Sequence, residues 1–159
     1  RQIREQRLQH NLEQSQAFLA ENAKKEGVVT LDSGLQYRVI KAGEGKSPQA
    51  TDRISVNYRG TLIDGTEFDS SHARGKPATF QLKKVIKGWR EALPLMKKGA
   101  KWELYIPPGL AYGKRTPNKT IPPNSALIYE VELLAFTASP KEQKRAPRPP
   151  VPGAKPREE

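Results

Sequence analysis

The chain contains no cysteine, which excludes disulfides, thiol catalysis and cysteine-held zinc together. Histidine is nearly as scarce. With only His10 and His72, neither a His-rich metal site nor a Ser-His-Asp relay is assembled. No P-loop and no dinucleotide-binding glycine fingerprint occurs, and Gly43-Glu44-Gly45 reads only as a loop. The carboxylates of the central region are scattered rather than paired as glycoside chemistry requires. No apolar run approaches the ~18–20 residues that span a bilayer. The expectation is a chain that works without metal or cofactor. It opens Arg-Gln-Ile-Arg, with neither an initiator Met nor an apolar leader, so any targeting segment is expected to precede the first residue.

What the chain has in abundance is positive charge. Its net charge is +11 over 159 residues, and residues 27–136 alone hold seventeen basic against ten acidic side chains. That surplus permits attraction to anionic lipid, nucleic acid or an acidic partner. A solvated surface is the simpler reading. Nucleic acid is disfavoured, because the basic residues form no recognition motif and are interleaved with acids. The hydrophobic fraction of 35% is low, so part of the length is expected to lie outside any core.

Three segments follow. Residues 1–26 lack Pro and Gly and read as one helix of nearly 40 Å, stopped by Gly27 after Lys24 and Lys25. Leu8, Leu12, Leu19 and Ala23 recur on one face, too thin a stripe to bury the helix in a domain. The segment is therefore expected to be a stalk, or half of a helical pairing surface at the end of a dimerisation module. Residues 27–136 read as one domain, with alternating strands at 34–40, 54–63, 101–106 and 127–135 and a return at 66–69 after the turn signal Asp64-Gly65. A single helix of about two turns fits near Gly88, before Pro94. The expected class is α+β: an antiparallel sheet wrapped around one short helix, preceded by the long N-terminal helix. Residues 137–159 hold six of the fourteen prolines and almost nothing apolar, and are expected to be a disordered, basic, Pro-rich tail.

Aromatic and aliphatic residues cluster beside the turns of the central segment: Tyr58, Phe68, Phe80, Val85, Ile86, Trp89, Tyr112, Ile121 and Tyr129. Composition alone does not separate a binding pocket from the ordinary core of a small β domain. Motif order does. Val56 to Ser71 (VNYRGTLIDGTEFDSS), Val85 to Leu93 (VIKGWREAL), Ile106 to Gly113 (IPPGLAYG) and Ile121 to Leu127 (IPPNSAL), closed by Glu130-Val131-Glu132-Leu133-Leu134, resemble the FK506-binding (FKBP-type) peptidyl-prolyl isomerases. The resemblance covers about residues 28–136. The helix leading into Ser33-Gly34-Leu35-Gln36-Tyr37 further resembles the bacterial subclass of macrophage infectivity potentiators, in which a helical N-terminal module dimerises.

That resemblance implies a pocket floored by Trp89 and walled by Tyr58, Phe68, Phe80, Val85, Ile86, Ile121 and Tyr129. Asp69 and the Tyr112 hydroxyl are its implied polar groups, the Ile86 amide a donor to a bound carbonyl, and Arg74 the support of Asp69. Tyr129 stands where the family usually has Phe, and the 112–121 loop is more basic than usual. The implied activity is X–Pro cis–trans isomerisation in unfolded or partly folded proteins, with a chaperone or binding module as the alternative. The implied partners are proline-containing clients, macrolide inhibitors such as FK506 or rapamycin, and a second copy of the chain through the N-terminal helix. The implied location is the periplasm or outer membrane, with the cytoplasm as the alternative.

Overall fold

A computed structural model describes residues 2–117 and 119–137, so the expectation for the tail lies almost wholly outside the described residues. Helix α1 (Gln2–Asn22) leads into strands β1 (Val28–Thr30), β2 (Gln36–Lys41), β3 (Arg53–Leu62), β4 (Glu67–Ser70) and β5 (Ala78–Gln81). Helix α2 (Lys87–Ala92) follows, and then β6 (Lys101–Ile106) and β7 (Leu127–Thr137). The strands form one antiparallel sheet in the order β1-β2-β6-β7-β3-β4, and β5 pairs with the other half of the β3 edge that carries β4. This is the expected sheet around one short helix.

The alternation that marked the strands is the alternation that builds the core. Ile54, Val56 and Tyr58 of β3 point inward with Leu104 and Ile106 of β6 and with Leu127, Tyr129, Val131 and Leu133 of β7. They pack on Trp89, Ala92, Leu93 and Met96 from α2 and the 3-10 turn after it. Pro94 sits in that turn and ends α2 after six residues, because it cannot supply the amide a further helical turn requires. Gly88 lets the helix approach: a Cβ there would fall 2.7–3.0 Å from the Ile106 side chain.

Several details differ from expectation. Two strands, β1 and β5, are short and carry no long apolar alternation, so periodicity did not reveal them. Asp64-Gly65 does turn the chain, but only Gly65 has a positive φ (93°), and the Gly65 amide donates to the Leu62 carbonyl. That is a turn followed by a left-handed glycine, rather than the two-residue mirror turn the dipeptide suggested. Helix α1 stops at Asn22, four residues before the expected end, and a bend through Gly27 (φ 85°) carries the chain into β1.

Helix α1 lies against the sheet face opposite α2. The expected stripe is only half-buried at Leu8, Leu12 and Leu19, and Ala23 is exposed; the buried positions are others. Ser15 is 2% exposed and Asn22 1% exposed, and both are polar. Ser15 Oγ donates to the Asn124 carbonyl (2.8 Å) and accepts from the Ala126 amide (2.8 Å). Asn11 Nδ2 donates to the Pro123 carbonyl, and Asn124 Nδ2 donates to the Leu8 carbonyl. Asn22 Nδ2 donates to Gln36 Oε1, whose own amide donates to the Leu19 carbonyl. Phe18 adds a tilted ring contact to Tyr105 of β6 at 6.3 Å. An apolar count underestimates this face, because its centre is held by directional bonds rather than by area.

Candidate active site

Between the inner face of the sheet and the N-terminal end of α2 lies a cavity of about 480 Å³. Trp89 forms its floor and is 3% exposed. Edge-to-face contacts fix the indole against Tyr58 (5.4 Å), Phe80 (5.6 Å) and Tyr129 (5.2 Å), at interplanar angles of 83–90°. Such contacts hold rings more firmly than burial alone, by roughly 0.5–1.5 kcal/mol each. The indole Nε1–H is buried and has no hydrogen-bond partner among the described residues.

Of the ten residues expected to form the pocket, eight line the cavity: Tyr58, Asp69, Phe80, Val85, Ile86, Trp89, Tyr112 and Tyr129. Phe68 and Ile121 do not. Gly60 pairs with Asp69 and Thr61 with Glu67, which makes Phe68 the extra residue of a bulge. Its ring stands edge-on behind Tyr129 at 5.5 Å and 89°. Gly60 makes this possible, since a Cβ there would lie 2.7–2.8 Å from both the Phe68 and Tyr129 rings. Ile121 is sealed into the core at the base of the following loop.

The polar side of the cavity is a closed triangle. The Tyr58 hydroxyl donates to Asp69 Oδ2 (2.6 Å), Arg74 donates to Asp69 Oδ1 (2.8 Å), and the other Arg74 nitrogen donates to the Tyr58 hydroxyl (2.8 Å). The Ser70 amide also donates to Asp69 (2.8 Å). Burial pushes the Asp69 carboxyl up, but the hydrogen bonds from Tyr58, Arg74 and Ser70 outweigh it and hold the group below its ordinary value. Burial, then the Asp69 hydrogen bond, raises the Tyr58 phenol. Asp69 is thus an ionised, fully engaged carboxylate near neutral pH, poorly suited to giving or taking protons.

Tyr129 brings a hydroxyl that Phe would lack. Burial raises its phenol well above the ordinary value, and the neighbouring Tyr112, Asp69 and Tyr58 add to the shift. Among the described residues nothing hydrogen-bonds that hydroxyl. The Ile86 amide lies just before α2, where the backbone is extended (φ −61°, ψ 157°) and the first helical amides lack intrahelical acceptors. Tyr112 is carried by a loop tied down by the Gly113 amide to the Pro108 carbonyl and the Asn124 amide to the Gly113 carbonyl.

The cavity also includes residues that the motif comparison passed over: Lys84, Lys87, Arg90, Ala111 and Arg115. Lys87 and Arg90 flank Trp89 at helical spacing, the one signal that could have found them, yet such flanks read as a solvated face. Among the described residues no group of three or more His, Asp or Glu is arranged to hold a metal ion.

The geometry is that of an aromatic slot with one engaged carboxylate. Residues 44–134 match the family described as FKBP-type peptidyl-prolyl cis-trans isomerase, and residues 1–39 match the domain amino-terminal to it. The chain is 58% identical over 125 residues to peptidyl-prolyl cis-trans isomerase Mip of Coxiella burnetii, covering 79% of this chain and 54% of that protein. It is 50% identical over 127 residues to the outer membrane protein MIP of Legionella longbeachae, covering 80% and 54%. The crystal structure of FkpA from Escherichia coli superposes with a TM-score of 0.82 at 46% identity, over 87% of this chain and 64% of that one. The chain spans about half the length of these curated relatives. It belongs to the FKBP-type peptidyl-prolyl cis-trans isomerase family.

Proposed function

We propose that this chain accelerates cis–trans rotation about X–Pro bonds in unfolded or partly folded proteins, and that the aromatic cavity does so without acid–base or covalent chemistry. One observation carries the reading: the cavity is walled by Tyr58, Phe80, Trp89 and Tyr129, while its only carboxylate is already held by three donors. Rotation of an X–Pro amide is slow because it breaks resonance, at a barrier of roughly 18–20 kcal/mol. In the twisted form the carbonyl is less polar and the nitrogen is pyramidal. A planar amide therefore loses more on leaving water than a twisted one does. A slot that excludes water binds the twisted amide better than the planar one, and this difference is what lowers a barrier. Each ~1.4 kcal/mol of difference is tenfold in rate.

In this scheme the prolyl ring packs on Trp89, with Tyr58 and Phe80 at its sides. The Ile86 amide and the Tyr112 hydroxyl hold client carbonyls. Asp69 orients the Tyr58 hydroxyl and sets the local field. Phe68 acts from behind, by holding Tyr129 in place. Macrolides such as FK506 or rapamycin are expected to compete for the same cavity. The relatives' names, one of them an outer membrane protein, support a periplasmic or outer-membrane location; among the described residues no helix is long and apolar enough to cross a membrane. The match of residues 1–39 to the domain preceding such isomerases supports α1 as the end of a dimerising module, which a sedimentation mass of the chain would test.

A protease-coupled assay on an X–Pro peptide tests the activity. The wild type is expected to exceed the uncatalysed rate, and Tyr112→Ala and Asp69→Ala to lower kcat/KM by about tenfold, the worth of one lost hydrogen bond to a charged or carbonyl group. A wild-type rate equal to solvent, with client aggregation still suppressed, would move the chain to the chaperone reading.

A further inference from the structure

The mouth of the cavity carries a charge imbalance that amide rotation does not use. Lys84 lies in the turn before Val85, Lys87 and Arg90 lie on α2 to either side of Trp89, and Arg115 follows Tyr112 on the opposing loop. All four line the cavity and all four are exposed. Among the described residues none of them has a carboxylate partner, whereas Arg38, Arg59, Arg74 and Lys101 each do. The cavity's own carboxylate, Asp69, is taken up by Arg74 at 2.8 Å. Three separate elements thus bring positive charge to one opening, with no carboxylate paired to it among the described residues. A cleft lined by one sign of charge over low-dielectric walls focuses the field on whatever enters. Here the walls are aromatic rings.

We propose that the cavity selects X–Pro bonds flanked by carboxylate side chains, Asp or Glu, which meet Lys84, Lys87, Arg90 and Arg115 while the prolyl ring enters the aromatic floor. This rests on the isomerase reading and names its substrate class. Because the cations are exposed, each acts through solvent, and its effect is modest and screened by salt. Acting together on two flanking carboxylates, they give about a five- to tenfold difference in kcat/KM at low ionic strength between acidic and basic flanks.

The test uses the full chain and three capped peptides identical except for the residues flanking Leu-Pro-Phe, which are Glu, Gln or Lys, with exchange between cis and trans resonances measured by NMR. The expected order is Glu over Gln over Lys, with the Glu-to-Lys ratio falling below about twofold in 1 M salt, where the Debye length shrinks to ~3 Å. The ratio also falls toward one in the triple variant Lys87→Gln, Arg90→Gln, Arg115→Gln. Equal rates for the three peptides at low salt overturn the selectivity but leave the isomerase reading standing, since the Gln peptide reports on that alone. Acceleration of none overturns both. A salt-sensitive preference unchanged in the variant also overturns the proposal. So does a ratio of one in a chain whose arginines and lysines at the mouth instead retain it on phosphatidylglycerol vesicles.

Discussion

The two faces of the sheet are held by opposite means. On the inner face, Trp89 and its ring partners pack by shape and area, and the side-chain hydrogen bonds described for the cavity stand at its edge, in the Tyr58–Asp69–Arg74 triangle. On the outer face, α1 is fixed by buried and half-buried side-chain hydrogen bonds from Asn11, Ser15, Asn22, Gln36 and Asn124, most of them to backbone groups. Under the proposed function the difference has a use: a cavity that accepts many proline-containing segments needs apolar walls that favour burial without demanding one register. A helix that must sit in one register needs directional bonds, because each becomes costly when its partner is displaced. Asn124 joins the two: it bonds α1 through its side chain and carbonyl, and the Tyr112 loop through its amide, in a left-handed conformation (φ 57°) that Asn tolerates better than most residues.

The largest expected effect breaks the inner face. Trp89→Ala removes the floor of the cavity and a central piece of the core together. It should cost about 3–5 kcal/mol in urea unfolding, the usual toll for a buried aromatic truncated to Ala, and abolish measurable isomerisation. A variant that lost activity yet kept wild-type stability would show that Trp89 is site without being core.

The outer face should fail differently. Ser15→Ala leaves the Ala126 amide and the Asn124 carbonyl without their partner, and about 1–3 kcal/mol of stability should disappear. Isomerisation per folded molecule should stay within about twofold, provided the Tyr112 loop keeps its own ties. A loss of activity without loss of stability would instead make α1 part of the catalytic apparatus.

The smallest effect lies at the rim and depends on pH. The folded carboxyl of Asp69 is depressed, so its contribution is complete above the ordinary carboxylate range near ~4 and is lost as pH falls through the folded value. The stability gap between wild type and Arg74→Gln should therefore be constant above about pH 5 and close as pH falls through the folded value of Asp69. Both side chains are partly exposed, so the gap is modest. A gap that widened in acid would place the coupling elsewhere.

The same contrast explains what could be read from residues alone. The strands β3, β6 and β7 announced themselves because one face is apolar and the period is two. Eight of the ten expected residues do line one cavity, and only motif order pointed to them. Tyr58, Trp89 and Tyr129 are buried like the core around them, and nothing in their chemistry separates wall from core. The placing of Phe68 behind Tyr129 was hidden, since it depends on a one-residue bulge opposite Gly60 and Thr61. The docking of α1 was hidden for a different reason: Ser15 and Asn22 are polar, and their partners lie in sequence as far away as Asn124 and Ala126. Hydrophobic periodicity carries no information about bonds of that kind.

On the proposed reading an apolar slot, rather than a proton donor, lowers the barrier. The direct measurement is the exchange rate between cis and trans X–Pro resonances, with enzyme present, from pH 5 to 8 in H2O and in D2O. Acceleration should be flat across this range, because Asp69 stays ionised, with a solvent isotope effect near one. A rate that follows a single ionisation and slows in D2O would contradict it.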